Sequence, residues 1–117
     1  MTRRISQILL VIGASLVPVA LHAQCVPAVQ RLITDRKYDD ARADLQAQLK
    51  RAPNDDAAMH CMGRVLLEQG ESGDAVGWLE KAVKINGKSA QHHLWLGNAL
   101  GAEGEIKGVR TERLEAS

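Results

Sequence analysis

The 117-residue sequence predicts an all-α protein in which helical hairpins stack in tandem. Three observations predict this. Aromatic residues are limited to Tyr38, Trp78 and Trp95, with no Phe, so Leu, Ala and Val must build the core, which favours helices over a β-sandwich. MGRVLLEQGE (62–71) lies over LGNALGAEGE (96–105) at an offset of 34 residues, matching Gly63 to Gly97, Leu66 to Leu100, Gly70 to Gly104 and Glu71 to Glu105. The same offset carries Ala75 and Leu79 back to Ala41 and Leu45. Between these landmarks the apolar residues recur at helical spacing.

The N-terminus reads as a targeting segment and stands outside the fold. MTRR precedes the apolar stretch ILLVIGASLVPVAL, which suits export machinery but is short for a membrane span. Residues 1–23 are therefore expected to be a cleaved signal peptide, with Ala23 a better cleavage position than Ala20, and residues 24–117 the mature domain. An uncleaved anchor and a buried core helix are the weaker readings. Ser6 and Gln7 follow Arg3-Arg4 where a twin-arginine signal needs apolar residues, and Gln24 before Cys25 is a poor context for lipid attachment. Loss of Arg3 and Arg4 leaves 13 basic against 14 acidic residues. Such a near-neutral chain has no basic surface for nucleic acid and no stable membrane span once the signal is gone. The expected location is periplasmic or secreted.

The elements follow in order. Pro27 suits a first helical turn and opens a segment ending near Arg36, with Val29, Leu32 and Ile33 on one face. A second helix starts around Tyr38 and carries the stripe Ala41, Leu45 and Leu49. Pro53 stops it, and Asn54 or Asp55 can cap the third. The third carries Met59, Met62, Val65 and Leu66 up to Gly70. Ser72 is expected to cap a fourth helix, with Ala75, Val76, Leu79, Ala82 and Val83 facing inward. Asn86-Gly87 should supply a left-handed stop. Ser89 should cap a fifth helix that turns Leu94, Leu96 and Leu100 inward.

Two helices of about a dozen residues with tight turns and this period resemble the tetratricopeptide repeat. The middle block carries the resemblance on Met62-Gly63, Leu66, Gly70, Ala75, Leu79 and Ala82. Pro53 ends the first block where the family expects proline, and Trp95-Leu96-Gly97, Leu100 and Gly104 echo the third. The first block departs at Val29, where a small Gly is expected, and at Gln48, where Ala is. The third needs a small residue near Val109 and an apolar one near Arg113. The resemblance implies an α-α hairpin superhelix of about two repeats plus a partial third, at roughly 25–53, 55–87 and 89–117. Residues 106–117 are read three ways: a short terminal helix, a fifth helix that runs on past Gly104, or a chain truncated relative to longer relatives. Each leaves the last interface poorly covered, so docking on a partner or self-association is expected.

Gly97, Gly101 and Gly104 look loosely like a phosphate loop, but no strand precedes them and Ser89 starts the helix well before them. They are read as packing positions. On this reading Gly97 admits the hairpin's partner helix, as Gly63 does, and Gly104 marks a turn, as Gly70 does. His60, Cys61, His92 and His93 lack metal-ligand spacing, since adjacent helical residues diverge by about 100°. No metal or other cofactor is expected. His93 is read as a packing residue and His92 as a solvated one. Ser72 and Ser89 are read as caps and Ser117 is terminal, so no nucleophile and no catalytic residue is expected.

Cys25 and Cys61 would both survive export into an oxidising compartment. Their spacing puts them on first helices of neighbouring repeats, where a disulfide is feasible. A partly buried Cys61 with a free Cys25 is the favoured alternative. The resemblance also implies a binding surface, because first helices of the family line a concave groove. By register that groove takes Gln30 and Thr34 from the first block, His60, Arg64 and Glu68 from the second, and Gln91 and Asn98 from the third. A solvated polar face is the competing reading at each. The lysines of a carboxylate-gripping pattern are absent. The expected function is non-catalytic binding of a protein partner, a peptide or helix, in the cell envelope. The alternative is a structural unit that forms a homo-oligomer through its uncapped C-terminal helix.

Overall fold

The computed structural model describes residues 25–116, and beyond Gly108 the backbone alone. The signal segment at 1–23 lies outside the described residues. Among those described there are helices α1 (Pro27–Thr34), α2 (Tyr38–Arg51), α3 (Asp56–Glu68), α4 (Ser72–Ile85) and α5 (Ala90–Ala116), and no strand. α1 and α2 form one hairpin and α3 and α4 a second. α5 packs on α4 and, less extensively, on α3. No helix among the described residues is long and apolar enough to cross a membrane.

The 34-residue period is written into the backbone as well as the sequence. Both hairpin turns close with the same pair of hydrogen bonds: Lys37 N–H to Leu32 O at 2.8 Å and Arg36 N–H to Ile33 O at 3.0 Å in the first. Glu71 N–H to Leu66 O at 2.9 Å and Gly70 N–H to Leu67 O at 3.0 Å repeat them in the second. The residue bearing the left-handed conformation is Arg36 (φ 60°) and then Gly70 (φ 79°). One period apart again, Asp55 Oδ1 accepts from Ala58 N–H at 3.1 Å and Ser89 Oγ accepts from His92 N–H at 3.3 Å.

The core lies where the two hairpins meet. Ala41, Leu45, Val65, Ala75, Leu79 and Ala82 are completely buried, and α3 is covered on most of its sides. Gly63 is the closest approach: a Cβ there would stand 2.5 Å from Leu79 Cγ. Glycine therefore fills a packing need that outweighs its poor helix propensity.

Several expectations are corrected. Ser72 does not cap α4. It is the buried first residue, and Glu71 before it makes no side-chain cap bond. Asn86-Gly87 does not form a left-handed stop, because Asn86 is extended (φ −133°, ψ 79°), as is Ala52 one period earlier (φ −136°, ψ 84°). The Asn86 side chain instead donates to Asp56 Oδ2 at 3.3 Å.

Gly104 is not a turn. α5 runs for 27 residues straight through it. A short separate terminal helix is thus not formed: the fifth helix runs on. A return helix would set Ile106, Val109 and Arg113 in the places of Ser72, Ala75 and Leu79. A charged Arg113 is a poor substitute for a leucine that is wholly buried, so little apolar burial would reward the turn. Gly97 accordingly has nothing within 4 Å of its Cβ position, whereas Gly63 has Leu79. Leu94 and Leu100 do not face inward either, being 56% and 48% exposed. They take the places of His60 and Leu66, which are buried because further helices follow them.

Candidate interaction face

The first helix of each block, α1, α3 and α5, contributes to one face of the stack, and three contacts tie them. Cys25 and Cys61 form a disulfide with Cα atoms 5.7 Å apart, joining the segment just before α1 to the middle of α3. This corrects the preference for a free Cys25; both half-cystines are buried. Arg64 donates from Nη1 toward Cys25 Sγ at 3.6 Å. On its other side its guanidinium lies over the Trp95 ring at 4.7 Å from the centroid, which ties α3 to α5.

The third tie is a polar relay of two buried histidines and a half-buried carboxylate. Asp56 and His60 are one turn apart on α3, and His92 faces them from α5. His92 Nε2 and Asp56 Oδ2 are 2.7 Å apart, the ring N–H donating to the carboxylate. The two Nδ1 atoms of His60 and His92 are 2.9 Å apart, so one ring donates its N–H to the bare nitrogen of the other. The rings sit 4.9 Å apart, and Trp95 meets His60 edge-on at 6.2 Å.

The electrostatics follow from burial. Burial is the main reason that His60 titrates at about 4, with the charges of His92 and Arg64 adding to it and Asp56 opposing. For Asp56, burial pushes the carboxyl up, but hydrogen bonds from His92 and Asn86, the charge of His92 and a backbone hydrogen bond together hold the group below its ordinary value. Burial likewise lowers Arg64, against the pull of Glu68. The Arg64 Nε–H is buried and has no acceptor among the described residues.

Of the residues placed in the groove by register, Thr34, Glu68, Gln91 and Asn98 are exposed, and Gln30 and Arg64 are half-buried. Thr34 spends its hydroxyl on Gln30 O at 2.9 Å. His60 is only 3% exposed and is a packing residue, not a contact residue, because α5 covers it. The two histidines of α5 have exchanged roles: His92 is buried, and His93 is exposed with Nε2 2.7 Å from Gly87 O. Asp56, His92 and Trp95 were missed as parts of this face. Their signal is spacing: contacts between neighbouring first helices join residues 31 (Arg64–Trp95), 32 (His60–His92) and 36 (Asp56–His92) apart, close to the period itself. No group of three or more His, Cys, Asp or Glu side chains able to hold a metal ion occurs among the described residues.

Paired antiparallel helices repeated at 34 residues, with leftover polar side chains on the first-helix face, define a helical-repeat scaffold. A family model described as tetratricopeptide repeat matches residues 32–107, well over half of the sequence, and the chain belongs to that family. No curated protein matches it. Tetratricopeptide repeats generally mediate protein–protein interaction and are generally non-catalytic.

Proposed function

We propose that the chain is a non-catalytic interaction module of the cell envelope, periplasmic or secreted, that holds a peptide or helix of a protein partner against the face formed by α1, α3 and α5. The observation that carries this reading is the Arg64–Trp95 pair, a cation laid over an indole at 4.7 Å on that face. The same first helices carry exposed side chains with no packing duty: Thr34, Glu68, Gln91 and Asn98. An aromatic ring and an arginine side by side supply the kind of anchor on which interfaces depend. Export is supported by the signal-like start and by the disulfide, which persists in oxidising compartments. Photocrosslinkers placed singly at Thr34, Asn98 and Lys81 test the reading in the native compartment. Adducts from Thr34 and Asn98 but not from Lys81, on the second-helix side, are expected; adducts from Lys81 alone would overturn it.

Self-assembly is the second reading, and α5 is the observation in its favour. Leu94, Leu100 and Ile106 are exposed on a helix with no return partner among the described residues. A monomer at micromolar concentration, unchanged in size when residues 106–117 are removed, would end that reading.

A further inference from the structure

The contact between His60 and His92 tolerates only certain protonation states. Two imidazole nitrogens at 2.9 Å can share one proton, one donating and the other accepting. When both rings carry both protons, two N–H groups point at each other and the contact cannot survive. This buried pair, with the part-buried His92–Asp56 bond, forms a polar link from α3 to α5. We propose that the relay is an acid-triggered latch: a proton on each of the two facing nitrogens parts the rings and releases α5 from α3, which separates Trp95 from Arg64 and dismantles the face.

The surroundings make the latch one-directional. The charges acting on His60 are His92 on α5 and Arg64 and Asp56 on its own helix. Glu68, further along α3, acts on Arg64. A second imidazolium would therefore enter a site that already holds the Arg64 cation, with Asp56 the one carboxylate bonded to the relay among the described residues. Burial and these charges keep His60 neutral until about pH 4, so the latch is shut near neutrality. α5 is the element best placed to open. It is the last helix among the described residues, and Gly97, Gly101 and Gly104 weaken it from within.

Amide exchange of the disulfide-bonded chain, corrected for the intrinsic pH dependence of exchange, tests the latch between about pH 7 and pH 4. The expected result is that residues 90–103 lose protection about tenfold more than α3 and α4. In a Trp78→Phe background, quenching of Trp95 by a neutral quencher should rise over the same range, since the ring is only half-buried in the closed state. His60→Gln, which can hydrogen-bond but not titrate there, should flatten both profiles. Constant α5 protection down to pH 4, simultaneous opening of α3 and α4, or an unchanged profile in His60→Gln would overturn the proposal. Should His60→Gln fail to fold at neutral pH, ¹⁵N spectra of the histidine rings in the unsubstituted chain replace it. Ring titration coincident with α5 opening supports the latch, and opening without ring titration overturns it.

Discussion

Arg36 and Gly70 occupy the same point of two successive hairpins. Both have left-handed backbones, φ 60° and φ 79°, and each is followed by a residue whose N–H reaches back to a carbonyl five residues earlier. The arginine adopts a conformation for which glycine is suited, and its side chain is exposed. Arg36→Gly should therefore stabilise the chain by about 0.5–1 kcal/mol, while Gly70→Ala should destabilise it by about 1 kcal/mol. Urea midpoints read both, and a destabilised Arg36→Gly would contradict the account of this turn.

The two glycines in register, Gly63 and Gly97, should respond with opposite signs. Gly63→Ala sets a methyl 2.5 Å from Leu79 Cγ in a closed core, an overpacking cost of about 1–3 kcal/mol that outweighs the gain in helix propensity. Gly97→Ala meets nothing within 4 Å and should stabilise α5 by about 0.5–1 kcal/mol. Thermal unfolding of the two variants decides. Equal signs would mean that α5 is covered on the Gly97 side.

The disulfide closes a loop between residues 36 apart in sequence. Its removal by Cys25→Ser with Cys61→Ser should cost about 2–4 kcal/mol, read by urea unfolding with and without reductant. Alkylation of the native, unreduced chain should add no mass at either cysteine; labelling at Cys25 would contradict the bridge.

Acid should weaken the fold before it titrates ordinary carboxylates. His60 has a folded value of about 4 against an ordinary 6.5, so between those values the unfolded chain binds the extra proton. The stability tied to this group is thus complete above about pH 6.5 and is lost as pH falls toward the folded value. Urea midpoints near pH 7 and pH 4.5 should differ less in His60→Gln than in the unsubstituted chain. An equal difference would remove His60 from the explanation.

Much of this architecture is legible in the sequence because packing repeats. Gly63, Leu66, Ala75 and Leu79 announce their places through the offset, and helix boundaries fall where Pro27, Pro53 and Ser89 put them. The turn at Arg36 is not legible, since a glycine is what marks such a turn and the backbone there tolerates an arginine instead. Gly104 misleads for the opposite reason: the glycine is present, but Arg113 removes the apolar return that would make a turn worthwhile. On the candidate face, register alone picks out Thr34, Glu68, Gln91 and Asn98, which are exposed, and the half-buried Arg64. His60, His92 and Trp95 could not, because burial at the junction of α3 and α5 depends on the neighbouring helix. A histidine that packs and one that is solvated have the same letter in the sequence.

The central claim is that the first-helix face receives the partner. Once crosslinking supplies that partner, amide exchange of the complex against the free chain at neutral pH tests the claim directly. The account predicts added protection at residues 30–34, 64–68 and 91–98, with α2 and α4 unchanged. Protection confined to α2 and α4, or to residues 104–116, would contradict it.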